Sequence, residues 1–371
     1  MLLELGRPFR DMLVVERLIG EGAFAEVYRV RHRFLGRQAL KILKAPGASQ
    51  NDVDKMLEEA VLLSSIGHPN IIRVFDAGTV ETDAGIHAYF TMEYVPGGHL
   101  ATFWRAHGRR FVKVSDAVEI ATQMCRGLSV AHAHSPPIIH RDIKPQNVLV
   151  GYDTIGLRIR LSDWGLAKTV DPRTLLASAR GTIGFKPPEF LFGMDSPAGD
   201  VWAVGAVLYL LLTDRLPFPD LLRLGRAGTP NPSPLTPPSR LNVLVDQPLD
   251  AIVGRAVAYQ AADRYADASK MLRALTSWQS EAEKGGEGLP EPQPHAVGRG
   301  RSQTSKGALG SPSEKPELPP ETLVSQALQL ARSPDRLTEA TDMLERALNL
   351  KPDLRAKHEY RLCLWRRRIT L

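Results

Sequence analysis

Two glycines near the start of the chain lie where a phosphate group could be held. Gly20 and Gly22 occur in the run IGEGAFAEV, residues 19–27, between two stretches that alternate like β-strands. Because glycine has no side chain, the backbone N–H groups of such a strand-to-strand turn can approach phosphate oxygens closely. An ordinary glycine hairpin would leave the same pattern, so this run alone does not separate the two interpretations.

A lysine on the third predicted strand could supply a cation to the same phosphate. Lys41 follows Ala39 and Leu40, and a half-buried ammonium group there needs an anionic partner. Glu59, on the helical stretch that follows, can provide one. Taken alone, the pattern favours a surface lysine whose stem lies along apolar residues. Its meaning therefore depends on the motifs further along the chain.

The run IHRDIKPQNVLV, residues 139–150, is followed by LSDWG, residues 161–165. Together they resemble the H-R-D-x-K-x-x-N catalytic loop and the D-F-G element of the eukaryotic-type (Hanks-type) Ser/Thr protein kinase family, with Trp164 in place of the usual phenylalanine. Phosphoryl transfer requires positioning of the nucleophile and neutralisation of negative charge more than covalent chemistry. The resemblance implies a kinase that transfers the γ-phosphoryl group of Mg·ATP to Ser/Thr hydroxyls of proteins.

The resemblance assigns a role to each polar residue of these two motifs. Asp142 would accept or orient the proton of the substrate hydroxyl, and Lys144 would stabilise the charge of the γ-phosphate. Asn147 and Asp163 would hold Mg²⁺, which prefers hard oxygen ligands, with Mn²⁺ as a substitute. The implied cofactors are therefore ATP and a divalent metal ion.

The implied nucleotide site draws on the first part of the chain. Lys41 would bind the α- and β-phosphates and be fixed by an ion pair with Glu59. Ala39 and Val27 would enclose the adenine, and the backbones of Glu93 and Val95 would bond its edge. The implied ATP contacts are Ile19, Gly20, Glu21, Gly22, Ala23, Phe24, Ala25, Val27, Ala39, Lys41, Met92, Glu93, Val95 and Leu149.

Other family positions are implied to support the site without reacting. His140 would pack in the internal apolar spine, and Asp200 would cap the catalytic loop. The run GTIGFKPPE, residues 181–189, resembles the segment that closes the activation loop. Its last residue, Glu189, would form a structural salt bridge with Arg264.

An arginine directly before the catalytic aspartate implies regulation. In this family such a cation, here Arg141, is satisfied when a phosphorylated activation loop docks on it. The candidate acceptors are Thr169, Thr174 and Ser178, of which the last two lie in the middle of the loop. Unmodified, solvated hydroxyls are the alternative. We expect autophosphorylation at this loop.

The elements that must position these residues fall into two groups. Residues 11–95 alternate mainly like strands, whereas beyond residue 96 the apolar spacing is mainly helical. The predicted fold class is α+β, and the resemblance implies the bilobal protein kinase fold, with a β-rich N-lobe, about 11–95, and a helical C-lobe, about 96–279. Residues 280–320, rich in Gly, Pro, Ser and Glu, are predicted to form a disordered linker.

Helical spacing resumes over residues 321–371, which are predicted to form a small α-helical segment. Ala340, Ala347 and Pro352 match the two small positions and the terminal proline of a single tetratricopeptide repeat (TPR). Because a lone repeat buries its apolar face poorly, we expect it to dock on the kinase domain, self-associate or bind a protein partner. A plain helical hairpin without a recognition role is the alternative.

Composition narrows the setting in which this chemistry takes place. With 371 residues and 43% hydrophobic content, the chain can build more than one packed unit. A formal net charge of +6 is common among phosphate-binding enzymes, so we expect no nucleic-acid partner. Protein substrates are implied by the resemblance to protein kinases. The first residues lack the apolar core of a signal peptide, and no apolar run is long enough to cross a membrane. We therefore predict a cytoplasmic location without membrane contact.

Two rival functions share the predicted fold. One is a pseudokinase scaffold, which would bind nucleotide or partners without transfer. Retention of Lys41, Glu59, Asp142, Asn147 and Asp163 argues against it. The other is a small-molecule phosphotransferase. Lys144 and the segment 182–189, which are typical of a peptide-binding kinase, argue against that alternative.

Overall fold

The chain divides into two units, Met1–Gly288 and Leu289–Leu371, and each is described by itself. The structure is a computed structural model. It describes residues 2–22, 25–44, 66–82, 85–106, 111–153, 156–164, 183–219, 234–286, 319–330, 336–351 and 354.

The first unit begins with a sheet of antiparallel strands in the order β1-β2-β3-β4-β6-β5. This curled sheet forms the N-lobe, as the sequence predicts. The strands are β1 (Pro8–Phe9), β2 (Leu13–Glu21), β3 (Ala25–His32), β4 (Gly36–Leu43), β5 (Val74–Thr82) and β6 (Gly85–Glu93).

Strand β4 lies inside the sheet and is buried on both faces from Gln38 to Leu43. Successive side chains of a strand point to opposite faces. Leu40 and Ile42 therefore join one apolar cluster, while Ala39 joins the core that continues into the helical lobe. Lys41 is two residues from Ala39 and shares its face, so this strand directs the lysine toward the region between the lobes.

The C-lobe is built on helices and one two-stranded hairpin. Its helices are α1 (Leu100–Ala106), α2 (Val114–His132), α3 (Pro197–Thr213), α4 (Gln247–Ala256) and α5 (Ala268–Gly286), and its strands are β7 (Val148–Tyr152) and β8 (Leu157–Leu161). Short 3₁₀ turns at Ile183–Phe185, Pro188–Phe192, Pro238–Arg240 and Ala261–Asp263 connect them. The predicted α+β fold, with a β-rich lobe followed by a helical lobe, is confirmed.

Helix α3 forms the centre of the C-lobe, and its residues from Val201 to Leu212 are buried all around. Ser196 begins it, because the Ser196 hydroxyl accepts a hydrogen bond from the Gly199 N–H at 3.1 Å. At its end Asp214 adopts a left-handed conformation, with φ of 56°. Neither α3 nor any other helix in the described ranges is long and apolar enough to cross a bilayer.

Helix α5 extends beyond the predicted end of the kinase domain at residue 279. It continues to Gly286 through Glu281, Ala282, Glu283 and Lys284. These residue types lose little side-chain entropy in a helix, so a polar composition did not prevent helix formation here. The structure therefore corrects the first residues of the predicted linker.

The second unit contains two helices, α6 (Pro320–Leu330) and α7 (Leu337–Leu350). They bury a small apolar cluster in which Ala327, Ala340 and Ala347 are 0% exposed. Small side chains at these positions let the two helix backbones approach closely. This confirms helices in the predicted C-terminal segment.

Candidate active site

The β7–β8 hairpin brings together residues that are distant in sequence. Asn147 precedes β7 and Ser162 follows β8, and Val148 pairs with Leu161 in the antiparallel register. The backbone N–H and the hydroxyl of Ser162 both donate to the Asn147 carbonyl, at 2.9 and 3.0 Å. Asp163 is the next residue. The hairpin thus places the two predicted metal ligands at its open end.

Asp142 lies beside this open end and is surrounded by donors. Its Oδ2 accepts from Lys144 Nζ at 2.7 Å and from Asn147 Nδ2 at 2.9 Å, while its Oδ1 accepts from Lys186 Nζ at 2.8 Å. Burial raises the pKa of the Asp142 carboxyl, but the positive charges of Lys186 and then Lys144 outweigh it and lower the pKa to about 2. Asp142 is therefore an ionised hydrogen-bond acceptor at neutral pH.

Lys41 reaches from the N-lobe to the residue after the hairpin. Its Nζ lies 2.7 Å from Asp163 Oδ1 and 5.6 Å from the centre of the Phe90 ring. The Lys41 side chain is 5% exposed, whereas that of Asp163 is 37% exposed. A buried ammonium group is thus paired with an accessible carboxylate. The predicted partner of Lys41, Glu59, lies outside the described residues.

The glycine run forms the turn between β2 and β3. The Gly22 N–H donates to the Ala25 carbonyl at 2.9 Å, and Gly20 lies opposite Val27 in the sheet. Ile19 is exposed at the rim of this turn. Of the other residues predicted to cover the phosphates, Glu21 pairs through its carboxylate with Lys44 Nζ at 2.7 Å, and Ala23 and Phe24 lie outside the described residues.

The apolar residues predicted to contact the nucleotide lie in one region. Ala39 (β4), Met92 (β6) and Val95 (after β6) are buried in one cluster, and Val27 (β3) and Leu149 (β7) are partly buried and pack against it. Both lobes therefore contribute walls to the same apolar region. The backbone N–H of Glu93, whose main chain was predicted to meet the adenine, donates to the Arg73 carbonyl at 2.9 Å.

Asp200 fixes the catalytic loop from beneath. Its carboxylate accepts from the backbone N–H groups of His140 at 2.8 Å and Arg141 at 2.9 Å, and lies 3.0 Å from His132 Nε2. Asp200 is 1% exposed. Arg141 has a φ of 67°, a left-handed conformation that is unfavourable for a residue with a side chain. The two backbone bonds stabilise this conformation and confirm the predicted cap.

His140 is a packing residue, as predicted. Its ring is fully buried, lies 4.7 Å from the Trp164 ring, and its Nε2 is 3.0 Å from the Ser162 carbonyl. Burial lowers the pKa of His140, which keeps the imidazole neutral. The Trp164 indole is itself 1% exposed, so it fills the apolar position that a phenylalanine usually occupies.

The side chain of Arg141 has a partner that sequence reasoning missed. Arg141 Nε donates to Asp195 Oδ2 at 2.6 Å, and the Arg141 side chain is 17% exposed. Fifty-four positions separate the two residues, so no local pattern indicates the pair. The predicted phosphorylation sites Thr169, Thr174 and Ser178 lie outside the described residues.

The predicted salt bridge between Glu189 and Arg264 is confirmed. Two parallel bonds of 2.6 and 2.8 Å join the guanidinium to the carboxylate. The Arg264 side chain is completely buried, stacks over the Trp202 ring at 4.8 Å and also donates to the carbonyls of Ala258 and Tyr259. Every face of this buried cation is therefore compensated.

Lys186 is a site residue that sequence reasoning did not identify. It stands between Phe185 and Pro187 in the segment that closes the activation loop, and its side chain is 9% exposed. Its contact with Asp142 crosses a large sequence separation. A lysine in a run of aromatic and proline residues was the one available signal.

The residues of the site fit a divalent cation that phosphates help to hold. Both hydrogen bonds from Asn147 Nδ2 go to Asp142, one to its backbone carbonyl at 2.8 Å and one to its side chain. This orientation leaves the amide oxygen of Asn147 as a hard donor, and Asp163 offers an accessible carboxylate. Across the described ranges no group of three or more His, Cys, Asp or Glu could hold a metal ion by itself.

Comparison with known proteins identifies the family. The protein kinase domain model matches residues 13–226. The chain is 33% identical to the serine/threonine-protein kinase PrkC of Bacillus subtilis, over 72% of this chain and 40% of that protein. It is 29% identical to the probable serine/threonine-protein kinase PknB of Lactococcus lactis, over 78% of this chain and 45% of that protein. The chain thus spans less than half the length of these relatives.

Solved structures agree with this assignment. The kinase domain of Mycobacterium tuberculosis PknI matches with a TM-score of 0.55 and 27% identity, covering 74% of this chain and 99% of that one. A double mutant of the same domain matches with a TM-score of 0.57 and 25% identity, covering 75% and 99%. The family uses ATP, a divalent metal and protein substrates. The chain belongs to the protein kinase family, and its relatives place the matched domain among the serine/threonine-protein kinases.

Proposed function

We propose that this chain transfers the γ-phosphoryl group of Mg·ATP to serine and threonine hydroxyls of proteins. The observation that carries this proposal is the surroundings of Asp142: an ionised carboxylate held by Lys144 and Asn147, next to the hairpin end that carries Asp163. The residues proposed as proton acceptor, phosphate-neutralising cation and metal ligands thus lie close together. Phosphoryl transfer requires this set.

The nucleotide would lie between the lobes. Lys41 would bind the α- and β-phosphates, while Asn147 and Asp163 would hold Mg²⁺. When bound, the metal would neutralise phosphate charge. The pair of Lys41 with Asp163 supports this proposal, because it already brings the phosphate-binding cation next to a metal ligand.

In the transfer step the substrate hydroxyl oxygen forms a bond to the γ-phosphorus, and the bond from that phosphorus to the β–γ bridging oxygen breaks. ADP leaves with the electron pair. The carboxylate of Asp142 orients the hydroxyl and accepts its proton, and Lys144 stabilises the negative charge of the transferred group. Each of these tasks is a matter of position and charge.

Labelling from ATP tests the proposed activity. We expect the wild-type chain to transfer label from γ-labelled Mg·ATP to casein or myelin basic protein, with phosphate on serine or threonine. The matched control is Asp142→Asn, which keeps the size of the side chain but removes the proton acceptor. A folded wild-type chain that labels nothing would identify a pseudokinase, and labelling of small molecules alone would identify a small-molecule phosphotransferase.

Activation-loop autophosphorylation at Thr174, Ser178 or Thr169 is part of the same proposal. Arg141 supports it, because this residue directly precedes Asp142 and its guanidinium already binds an anion, the carboxylate of Asp195. A phosphate is a stronger anionic partner for such a cation. Intact-mass measurement and peptide mapping after incubation with Mg·ATP should find phosphate within residues 163–189 of the wild type and none in Asp142→Asn. An unmodified wild-type loop would remove this part of the proposal.

The C-terminal helices would act as a TPR-like unit outside a kinase domain over residues 11–279, with residues between the two units as linker. The buried alanines between α6 and α7, Ala327, Ala340 and Ala347, support this reading. Such a unit would self-associate, bind a protein or dock on the kinase domain. Light scattering of the full chain should reveal self-association as a mass that rises with concentration. A constant monomer mass would restrict the unit to the other two roles.

A further inference from the structure

The segment that closes the activation loop carries a largely buried lysine, Lys186, to which the proposed reaction assigns no role. Lys186 Nζ has three partners. They are Asp142 Oδ1 at 2.8 Å, the Arg141 carbonyl at 2.7 Å and the Phe190 ring, whose centre lies 4.7 Å away. An ammonium group has three N–H donors. A carboxylate, a carbonyl and an aromatic face therefore account for all of them.

Such a lysine is not explained by packing alone. Burying an unpaired ammonium group is costly, and an apolar residue would fill the same space without that cost. The lysine is compensated because two of its three partners belong to the catalytic loop. Its position in the molecule thus depends on Asp142 and Arg141, and theirs on it.

Lys186 and Asp200 bond to the two polar backbone groups of the same residue, Arg141. Arg141, with a φ of 67°, donates its N–H to Asp200 Oδ1 at 2.9 Å and accepts from Lys186 at its carbonyl. Asp142 follows directly. Fixing both polar groups of the preceding residue restricts where the Asp142 side chain can point.

Lys186 also determines which part of the Asp142 carboxylate a substrate can meet. A carboxylate oxygen has about two lone-pair sites. Oδ2 already accepts from Lys144 and Asn147, whereas Oδ1 accepts from Lys186 alone among the residues the structure describes. The remaining site on Oδ1 is therefore the place for an incoming hydroxyl.

We propose that Lys186 is a positioning residue for phosphoryl transfer, which clamps Arg141 and Asp142 so that the remaining face of Asp142 Oδ1 meets the substrate hydroxyl. This inference rests on the proposed kinase activity. It also links the segment 183–189 to the reacting carboxylate, so that a change in that segment reaches Asp142 directly.

Steady-state kinetics on three variants of the full chain test this role. Lys186→Met removes the charge and keeps the length, Lys186→Arg keeps a cation with several donors, and Lys113→Met changes an exposed lysine at the start of α2 as a control. The values of kcat and KM for ATP are measured with a generic acceptor protein. Melting temperatures are recorded on the same samples.

We expect Lys186→Met to lower kcat by about 10- to 100-fold, the scale of a misplaced catalytic group, while KM for ATP stays within about 2-fold. Lys186→Arg should recover most of the lost kcat, and Lys113→Met should match the wild type. A merely structural role would instead raise KM for ATP and lower the melting temperature together.

A value of kcat for Lys186→Met within about 2-fold of the wild type would overturn the inference, as would a parallel rise in KM for ATP. If Lys186→Met does not fold, Lys186→Gln is judged by the same two criteria. An active wild type with an unaffected variant contradicts only the role of Lys186. A folded wild type that transfers no phosphate contradicts the proposed function, and this inference with it.

Discussion

Two aspartates hold the same loop of this kinase in contrasting ways, and Asp200 is the buried one. It is 1% exposed and accepts from the backbone N–H groups of His140 and Arg141, with the imidazole of His132 as its third partner. Backbone donors cannot leave without a change in the path of the chain. Asp200 therefore has a structural role: it stabilises the path of this loop.

Asp142, in the same loop, has a side chain that is 22% exposed. Its carboxylate accepts from side chains: the ammonium groups of Lys144 and Lys186 and the amide of Asn147. A long side chain such as that of Lys144 can change rotamer when a nucleotide or a peptide arrives, whereas Lys186 is also tied to the Arg141 carbonyl.

The kind of donor thus distinguishes a structural carboxylate from the one proposed to react. Asp200 is held by two backbone N–H groups and one side chain, that of His132, whereas Asp142 is held by side chains alone. Substitution should therefore affect stability at Asp200 and turnover at Asp142. The following predictions sharpen or break this contrast.

The largest effect is expected on turnover at Asp142. Asp142→Asn leaves hydrogen-bonding capacity but no proton acceptor, so kcat should fall by about 10²- to 10⁴-fold. Radiometric assays with equal amounts of folded protein measure this loss. A variant with more than a tenth of wild-type kcat would show that Asp142 is not the reacting carboxylate.

Asp200→Asn should show the opposite profile. The substitution removes a buried negative charge that faces His132 and two backbone N–H groups. We therefore expect the free energy of unfolding to fall by about 3–5 kcal/mol. Thermal melts followed by circular dichroism check this. Asp142→Asn is the matched comparison, and we expect it to lose less stability than Asp200→Asn. Equal melting temperatures for the two variants would break the contrast.

Glu189→Gln tests whether the ion pair between Glu189 and Arg264 stabilises the fold, as Asp200 is expected to do. Arg264 is completely buried and would lose its anionic partner while keeping its carbonyl contacts. Because the Glu189 side chain is 13% exposed, we expect a smaller loss of about 2–3 kcal/mol in unfolding free energy. Denaturant titration measures it, and Glu189→Asp should also lose stability, since the shorter side chain cannot keep the bidentate geometry.

The smallest effect is expected at Trp164, which packs against the buried His140 and directly follows Asp163. Trp164→Phe restores the residue that the family usually has and removes part of an indole that is 1% exposed. The cavity should cost about 1–2 kcal/mol of stability. KM for ATP should stay near the wild-type value, because Asp163 and Lys41 keep their pair. A large increase in this KM would mean that the indole positions Asp163.

The motifs made much of the fold and site predictable from sequence. Asp142, Lys144 and Asn147 lie within six residues, so they must be close in space whatever the rest of the fold is. The sheet alternation and the helical spacing likewise depend on local geometry. Both lobes could therefore be predicted.

The partners that long side chains choose across the fold could not be predicted in the same way. Lys186 meets Asp142, and Arg141 meets Asp195, only because separate segments converge after folding. Which donor reaches which carboxylate depends on rotamers and burial that no spacing encodes. The far end of α5 was missed for a simpler reason, since polar helix formers resemble a linker in composition.

Single-turnover transfer by the wild-type chain tests the central claim most directly. With enzyme in excess over γ-labelled ATP, in the presence of Mg²⁺ and an acceptor protein, we predict that the label moves to serine or threonine of the acceptor in one exponential phase. A chain that melts cooperatively and binds the nucleotide, yet leaves the label on ATP or releases it only as inorganic phosphate, would contradict the account.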